Sequence, residues 1–599
     1  MYLWNDDELN KEQEVAILEE NNILLIACPG SGKTRTLTYK IAYELTRLKS
    51  KKEYVIAITY TNRAADEIKE RIDHLGIDTT QLWIGTIHSF CLDWILKPYC
   101  LHIEELKEGF NIINSHDSER LLTELCLPYK NPKVTYYDCG FWATPRRYEI
   151  NSLSATKRPI VERIISEYFE ILKRNKQIDF EQILFYSYKI LQKKKLINEI
   201  LSKLFAHILI DEYQDTKEIQ YCIICNILKA GKGRTKTLIV GDPNQSIYQT
   251  LGGFPMDKKD IETLSNLNIK ELSLSANYRS SSRIINYFDH FKIYKSNIYP
   301  ASRTKDYNSL ITYNTSVLKD KLEDEIAKLI LYNVRELNID PTEICIVAPQ
   351  WVHLASLTRN LMTKLPDFSF DGPGMAPFSR DLENFWYKVS RIILTEPSPS
   401  LYVRRIRWSR DILNELSHIG IDVSNLTPKK FLRICNSIDI DEEDGLTYLQ
   451  EAFNSLFEAL NISFSIYPML SEHYTCFFES SQKRIDRIKK EGSEFISHID
   501  TFRKVFKQKG GITISTIHGI KGAEYDTMIA YALLEDFVPH FNDSDGYNNA
   551  QKLLYVIASR ARKNLHLISE SNRINGRGET YIPTGQLYSY KFEYDELFI

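Results

Sequence analysis

The sequence has 599 residues, of which 43% are hydrophobic and 26% are charged. This balance is typical of a globular protein and excludes a collagenous, low-complexity or small disulfide-framework class, while the length predicts about three to five domains. The 76 basic and 79 acidic residues give a formal net charge of −3, so nucleic-acid binding would need a local concentration of positive charge rather than overall basicity.

The sequence begins MYLWNDDELNKEQE, which is too acidic for a signal or transit peptide. No run approaches the ~18–20 apolar residues that cross a bilayer. The 10 cysteines are sparse and irregularly spaced, which argues against a disulfide framework or a zinc ribbon. We therefore expect a cytoplasmic protein with reduced thiols and no membrane association.

Short apolar runs bounded by turn residues alternate with longer helical stretches, the pattern of buried parallel strands in an α/β protein. The first set of runs lies at residues 23–27, 55–59, 82–85, 208–210 and 237–240. The second set lies at residues 344–348, 512–516, 527–531 and 565–568. The fold class is therefore predicted to be α/β, with two parallel-sheet cores.

Each predicted core is interrupted by a domain-sized stretch that lacks such runs and has a helical pattern. The first core is expected at residues 1–90 and 191–280, with a helical insertion at 91–190. The second core is expected at residues 281–384 and 511–599, with a helical insertion at 385–510.

Residues 27–34 read ACPGSGKT and lie between a predicted strand and a predicted helix, the context that a P-loop requires. Glycines in such a loop let backbone N–H groups turn toward phosphates, helped by the helix N-terminus. Lys33 would reach the β and γ phosphates of ATP, and the Thr34 hydroxyl would hold Mg²⁺. The alternative is a plain glycine turn. The predicted phosphate-binding residues are Ala27, Cys28, Pro29, Gly30, Ser31, Gly32, Lys33 and Thr34.

Residues 208–216 read ILIDEYQDT, an apolar run followed by carboxylates. Asp211 would hold Mg²⁺ through water, and Glu212 would orient or deprotonate the attacking water. The alternative is a solvated acidic turn. Phosphoryl transfer also needs positive charge on the γ phosphate, and Arg279 and Arg560 follow predicted strands in different cores. This placement suggests a nucleotide clamped between the cores, although either residue alone is also typical of a surface arginine.

These motifs together resemble the UvrD/Rep family of superfamily 1 DNA helicases, over nearly the whole chain and in the expected order. The resemblance lies in LNKEQ ending at Gln13, ACPGSGKT, TYTNRAADEIKERI from Thr59, GTIHSFC from Gly85, IDEYQDT, VGDPNQSIYQ from Val240, NYRSS from Asn277, STIHGIKGAEYD from Ser515 and LLYVIASRARKNL from Leu553. The family fold implies that both cores are RecA-like.

The resemblance implies further roles around the nucleotide. Gln13 would read the adenine edge, while Arg35 and Tyr278 would pack on the adenine ring. Gln245 would sense the γ phosphate, and Glu524 would lie near the ribose or the metal. Arg279 and Arg560 would be arginine fingers supplied within the same chain.

The resemblance also implies ATP-driven movement along single-stranded DNA, 3′ to 5′, with separation of the duplex at a single-strand/double-strand junction. Tyr60 and Tyr248 would stack bases, and the alternative for each is an aromatic side chain packed in the core. The residues expected to hold phosphates or sugars are Thr61, Asn62, Arg63, Thr86, His88, Thr516 and His518.

The sequence departs from the family after Tyr248, where Arg, Trp, Arg, Gly is replaced by Gln249, Thr250, Leu251 and Gly252. The departure removes a stacking tryptophan and an arginine that links the DNA and ATP sites. It implies a weaker grip or a substitute platform. An alternative function is therefore a DNA-dependent ATPase subunit that regulates a partner nuclease in repair or anti-phage defence, without processive unwinding. An ATPase acting on RNA is a third interpretation.

Both insertions contain aromatic and basic stretches. Residues 134–148 interleave aromatics with arginines, and we favour a packed aromatic cluster over nucleic-acid binding there. In RRIRWSR, residues 404–410, duplex contact through Arg404, Arg405 and Arg407 is a hypothesis, and a solvated helix face is the alternative.

Overall fold

A computed structural model describes residues 4–5, 7–151, 154–351, 354–372, 376–378, 381, 384–490, 494–506, 510–541, 543 and 545–597. The chain divides into two compact units. The first unit comprises residues 1–113, 118–319 and 517–599, and the second comprises residues 114–117 and 320–516. The four-part division into cores and insertions stays a prediction.

The first unit contains a parallel sheet of six strands. In spatial order the strands are Ile269–Leu274, Asn22–Ala27, Lys236–Gly241, Phe205–Ile210, Tyr54–Thr59 and Leu82–Thr86. Five of the six coincide with the first set of apolar runs, because a parallel strand covered on both faces needs an almost continuous apolar sequence. The predicted α/β class is confirmed.

The sixth strand, Ile269–Leu274, was missed by the sequence pattern. It reads IKELSL. The residues at its two ends are buried, and the four residues between them are exposed or partly exposed. This strand lies at the edge of the sheet and pairs only with Asn22–Ala27. An edge strand is half solvated, so its sequence does not form the apolar run that marks the central strands.

The second set of runs also forms parallel strands, and short strands appear that the sequence did not reveal. Within the first unit the order is Ile311–Asn314, Ala561–Ile568 and Tyr525–Ala530. Within the second unit Ile344–Ala348 and Phe370–Asp371 flank Ile512–Thr516. The remaining pairs, all in the first unit, are Ala276–Asn277 with Tyr299–Pro300, Asn111–Ile112 with Gln177–Ile178, and Phe141–Ala143 with Tyr148–Ile150.

Helices fill the stretches between these strands. Outside residues 91–190 the first unit has Lys11–Leu18, Lys33–Thr46, Asn62–His74, Ile87–Cys91, Lys195–Leu204, Glu218–Gly231, Lys258–Ser265, Ser282–Asp289, Gly546–Ser559 and Gly585–Tyr588. Residues 91–190 hold the π-helical turn Leu92–Leu96, the short Lys97–Tyr99, and Ser115–Cys126, Arg158–Arg174 and Phe180–Lys193. The second unit has Leu322–Arg335, Leu354–Lys364, Phe385–Ile393, Tyr402–His418, Pro428–Asn436, Gly445–Ala459, Pro468–Lys490 and Ile499–Lys504. Among the described residues, none of these helices combines the length and apolarity that a membrane crossing requires.

Phe141 and Tyr148 belong to a packed aromatic cluster, as the sequence favoured for residues 134–148. Phe141 meets Phe169 edge to face at 5.2 Å between ring centroids. Tyr148 contacts Phe169 at 4.6 Å and Phe185 at 4.7 Å. These rings fasten the hairpin of Phe141–Ala143 and Tyr148–Ile150 to the neighbouring helices.

The basic stretch of helix Tyr402–His418 is only partly available to solvent. The Arg405 side chain is buried, and its Nη2 donates to the Ile392 carbonyl oxygen at 3.1 Å and to Asn436 Oδ1 at 2.7 Å. The hypothesis that Arg405 contacts a duplex is therefore wrong, because its guanidinium is buried and hydrogen-bonded to two neighbouring helices. Contact through Arg404 and Arg407 stays a prediction.

The helical part of the second unit packs around Trp386. Its indole is fully buried among Phe453, Phe457 and Phe464, and its Nε1 donates to the Leu470 carbonyl oxygen at 2.8 Å. This side chain joins segments that are distant in sequence through both ring contacts and a hydrogen bond.

Replacing Trp386 with Ala should lower the free energy of unfolding by about 3–5 kcal/mol, because the substitution leaves a cavity in the core. The measurement is urea denaturation of the full chain followed by far-ultraviolet circular dichroism. Ile466→Ala is the control, since Ile466 is 69% exposed, and its effect should stay within about 0.5 kcal/mol. Equal transitions for the two variants would contradict this packing.

Candidate active site

The predicted P-loop and the Asp211–Glu212 turn lie at the carboxyl edge of the six-stranded sheet, where loops leave parallel strands and ligands bind in α/β folds. After strand Asn22–Ala27 the chain turns through Gly30 and Gly32, both at positive φ of 66° and 76°. Helix Lys33–Thr46 then begins without a side-chain cap at Gly32. The loop therefore leaves the N–H groups of the helix N-terminus available to phosphates.

The P-loop is held from two other segments. Gln13 donates through Nε2 to the Ser31 carbonyl oxygen at 3.0 Å, and Asn277 donates through Nδ2 to the Pro29 carbonyl oxygen at 2.8 Å. The Tyr278 N–H donates to the Gly30 carbonyl oxygen at 2.9 Å. These bonds fix the shape of the loop.

The residues expected around adenine lie beside this loop. Gln13 is buried, and its Oε1 accepts from the Asn10 N–H at 3.0 Å. Its amide is thus engaged within the protein. The Tyr278 ring is 46% exposed, and its hydroxyl accepts from Asn10 Nδ2 at 2.8 Å. Arg35 is exposed on the first turn of the helix. Their contacts with adenine stay predictions.

Lys33 faces the two carboxylates that follow strand Phe205–Ile210. Its Nζ forms an ion pair with Glu212 Oε1 and lies 3.7 Å from Asp211 Oδ1. Burial raises the pKa of the Glu212 carboxyl group, but the charges of Lys33 and Lys521 and the hydrogen bonds from Lys33 and Gln214 together outweigh burial and lower this pKa. Burial and the neighbouring Glu212 charge raise the pKa of Asp211, even though Lys33 opposes that shift. Glu212 is therefore the carboxylate of the pair that is more firmly ionised at neutral pH.

The backbone of Glu212 is itself unusual. Its φ of 54° and ψ of 45° place it in the left-handed region, which non-glycine residues rarely adopt. The Glu212 N–H donates to Asp211 Oδ1 at 3.0 Å, and Gln214 Nε2 donates to Glu212 Oε2. Such strain persists where surrounding contacts enforce it, typically at functional sites. It aims the carboxylate at Lys33.

Arg560 reaches the same edge from the end of helix Gly546–Ser559. Its side chain is buried, and its Nη2 donates to Gln245 Oε1 at 2.6 Å. Gln245 in turn donates through Nε2 to Asp242 Oδ2 at 2.8 Å. Burial, together with the nearby Arg279 charge, lowers the pKa of Arg560 to about 10, so the guanidinium remains charged at neutral pH.

Arg279 lies opposite, next to the P-loop. Its Nε donates to Glu524 Oε2 at 2.6 Å, and its Nη1 donates to the Ser559 carbonyl oxygen at 2.9 Å. A Cβ placed on Gly30 would lie 2.5 Å from the Arg279 Cβ. The structure thus brings both candidate arginine fingers, Glu524 and the P-loop together within the first unit.

The donor set fits a nucleoside triphosphate and its metal ion. The buried Ser31 Oγ and Arg560 Nε have no hydrogen-bond partner within the described part of the chain, and buried polar atoms normally have one. That same part of the chain has no group of 3 or more His, Cys, Asp or Glu side chains placed to hold a metal. Mg²⁺ commonly binds one or two carboxylates together with substrate phosphates, which Asp211 and the Thr34 hydroxyl can satisfy.

The candidate nucleic-acid residues lie at the ends of neighbouring strands. Tyr60 follows strand Tyr54–Thr59, and its 40% exposed ring stacks on Tyr248 at 5.2 Å between centroids. The Tyr248 hydroxyl donates to the His518 carbonyl oxygen at 3.3 Å. Tyr60 is therefore not a core aromatic. Thr516 ends strand Ile512–Thr516 of the second unit.

Two of the threonines expected at phosphates are helix caps. Thr61 Oγ1 accepts from the Ala64 N–H at 3.2 Å, and Thr86 Oγ1 accepts from the Ser89 N–H at 3.3 Å. Asn62 begins the helix after Thr61. The side chain of Arg63 lies outside the described residues. The caps place two helix N-termini at this edge, and such termini favour anions.

Several residues that connect the site were not identified from the sequence. Asn277 also accepts the N–H groups of Arg279 and Ser280 at 2.8 Å through Oδ1. Lys521 pairs with Asp215, donates to the Gln245 carbonyl oxygen at 2.8 Å and lies 5.2 Å from the Tyr248 ring centroid. The sequence signal that could have identified them is their position, because Asp215, Asn277 and Lys521 all occur inside the motifs that resemble the family.

Comparison with known protein families gives two domain matches. Residues 9–256 match the UvrD/REP helicase N-terminal domain, and residues 469–572 match the UvrD-like helicase C-terminal domain. The first match includes the P-loop, the Asp211–Glu212 turn and Tyr248. The second includes Lys521, Glu524 and Arg560.

Three similar proteins are named as DNA helicases. The chain is 25% identical over 667 residues to the ATP-dependent DNA helicase srs2 of Schizosaccharomyces pombe, covering 94% of this chain and 71% of that protein. It is 31% identical over 296 residues to DNA helicase II of Haemophilus influenzae, covering 47% and 40% respectively. It is 29% identical over 309 residues to the ATP-dependent DNA helicase UvrD1 of Mycobacterium bovis, covering 47% and 38%. The match thus spans less than half of the last two relatives.

Gly30→Ala should weaken binding of a fluorescent ATP analogue by about tenfold, equivalent to about 1.4 kcal/mol, because the new Cβ would push Arg279 away from the P-loop. Gly76→Ala is a matched control, since Gly76 has a φ of 68° and no atom within 4 Å of an added Cβ. Both variants carry the left-handed strain of roughly 1–3 kcal/mol. Equal ATP affinity in the two variants would show that the contact between Gly30 and Arg279 does not shape the site.

Proposed function

The chain belongs to the UvrD-like family of DNA helicases, and from this premise we propose that it hydrolyses ATP to move 3′ to 5′ along single-stranded DNA and to separate a duplex. Its enzyme class is that of an ATP-dependent DNA helicase. The observation that carries the proposal is one continuous set of contacts from the P-loop lysine to the stacked tyrosines.

This set of contacts runs through side chains at the carboxyl edge of the sheet. Lys33 pairs with Glu212. The Gln214 side chain donates through Nε2 to Glu212 and accepts through Oε1 from the Asp242 N–H at 3.1 Å. Asp242 accepts from Gln245. Lys521 then links the Gln245 carbonyl oxygen to the Tyr248 ring, which stacks on Tyr60. A change in the contacts of Lys33 with phosphates would therefore alter the contacts of Tyr248 and Tyr60, on which bases stack.

Each residue then has a role that its surroundings support. Lys33 binds the β and γ phosphates, and Glu212, which its surroundings keep ionised, orients the attacking water or accepts a proton from it. Arg279 and Arg560 neutralise the charge that develops on the transferred phosphoryl group. Gln245, bonded to Arg560, reports the state of the γ phosphate. Thr34 and Asp211 would hold Mg²⁺, which supplies further charge neutralisation when bound.

Single-stranded DNA is the partner that the other residues fit. Tyr60 and Tyr248 offer rings for stacking, which needs no particular sequence. The threonine-capped helix N-termini, together with Asn62, Arg63 and His88, would hold the backbone, as would Thr516 and His518. The expected location of the protein is the cytoplasm.

Arg560→Ala should lower the rate of ATP hydrolysis in the presence of single-stranded DNA by about 10³–10⁵, the usual effect of losing an arginine finger. The assay compares ATP turnover with and without oligothymidylate. Lys33→Ala should abolish turnover, and Arg577→Ala, an exposed arginine, should turn over normally. Normal turnover by the Arg560 variant would remove this residue from the site.

The purified protein should displace a strand from a duplex with a 3′ single-stranded tail and not from one with a 5′ tail. The relatives named above do not favour the alternative of a regulatory ATPase subunit without processive unwinding. ATP hydrolysis stimulated by DNA, with no strand displacement from either substrate, would nevertheless support that alternative. Equal stimulation by RNA would contradict the assignment to DNA.

A further inference from the structure

The hairpin of Phe141–Ala143 and Tyr148–Ile150 has two different faces. Side chains alternate along a strand, so Phe141 points toward Phe169 and the cluster described above, while Trp142 points the opposite way. Trp142 is only partly buried, whereas the flanking Ala143 is 1% exposed. Trp142 is thus an aromatic side chain that the hairpin core does not use.

Trp142 instead lies against the loop that carries Tyr248. A Cβ built on Gly252 would meet Trp142 Cδ1 at 2.7 Å and Nε1 at 2.8 Å. Gly252 has a φ of 86° and follows the short 3-10 helix Gln249–Leu251. Only a residue without a side chain allows the indole to approach this closely. The indole ring therefore rests on the chain four residues beyond the stacking tyrosine.

A second aromatic continues the surface next to Trp142. The Ala143 N–H donates to Glu181 Oε2 at 2.8 Å, which places the start of helix Phe180–Lys193 beside the hairpin. The adjacent Phe180 is 38% exposed, and its ring meets His88 edge to face at 5.7 Å between centroids. Of these two partly exposed aromatics, Trp142 contacts the Tyr248 loop and Phe180 contacts His88.

His88 provides an independent sign of a ligand. Its Nε2 is buried and has no hydrogen-bond partner among the described residues. Buried polar atoms are normally paired, so a partner from outside the chain is expected at this position. Arg146 and Arg147 are exposed in the hairpin turn that follows Trp142, and Arg147 Nε pairs with Glu149 Oε1 at 2.8 Å.

We propose that Trp142 stacks on a base of single-stranded DNA, with Phe180 beside it, so that the strand continues from Tyr60 and Tyr248 across the hairpin. This inference rests on the proposed function, since it adds a stacking position to the same DNA site. A partly exposed indole, fixed from one side by backbone, is the kind of rigid platform on which bases stack irrespective of sequence.

The test compares binding of fluorescent oligothymidylate with binding of an abasic oligomer of equal length, by fluorescence anisotropy. Trp142→Ala should weaken binding of oligothymidylate by about 5-fold to 150-fold, the range for one lost stacking contact. Binding of the abasic oligomer should be unchanged because it has no base to stack. Trp142→Phe should retain most of the affinity for oligothymidylate.

Tyr137→Ala is the matched control, because Tyr137 is an aromatic of the same insertion that is 81% exposed, and its DNA binding should equal that of the wild type. Unchanged binding by Trp142→Ala would overturn the inference alone. Equal losses for both oligomers, or equal losses in the Ala and Phe variants, would overturn it in favour of a role in shaping the Tyr248 loop. A wild-type protein that binds neither oligomer would overturn the proposed function as well.

Discussion

The charge of Lys33 is the constraint on which the rest of the active site depends. An ammonium group at the edge of a buried sheet is costly unless a carboxylate balances it, and two adjacent carboxylates are equally costly without a cation. Lys33 begins a helix after one strand, whereas Asp211 and Glu212 follow another strand, two positions away in the sheet. Parallel pairing brings the three groups together. A phosphate that binds Lys33 must therefore compete with Glu212, which couples ligand binding to the position of the base.

Buried charges are also balanced between the ATP site and the candidate nucleic-acid residues. Gln245 accepts from Arg560 and donates to Asp242, so a neutral amide connects a buried cation with a buried anion. Burial raises the pKa of Asp242 to about 6, although the hydrogen bonds from Gln245 and from the Asn244 N–H oppose this shift. Lys521 forms a second such pair of buried charges with Asp215, next to the Tyr248 ring. Loss of the Gln245 amide would remove this acceptor from Arg560 and this donor from Asp242.

The proposed stacking position of Trp142 would compensate for the family's DNA-binding residues that the sequence lacks after Tyr248. Gln249, Thr250 and Leu251 replace residues with which the family binds DNA, and this departure implied a substitute platform. The structure places Trp142 against Gly252, at the end of that same segment. The requirement for glycine at this position is therefore twofold, since both the left-handed backbone and the close indole exclude a side chain. Trp142, from a different segment, would thus supply the stacking side chain that the segment after Tyr248 lacks.

The sequence by itself determined the central strands, the P-loop, the Asp211–Glu212 turn and the helicase family, because continuous apolar runs and glycine-rich loops express local requirements of the chain. It missed the edge strand Ile269–Leu274, whose solvated half breaks the apolar pattern. Only the tertiary structure decided that Arg405 is buried, that Arg560 bonds Gln245 and that Trp142 rests on Gly252. These contacts join segments far apart in sequence, and neither the spacing nor the chemistry of one segment specifies which distant segment will pack against it.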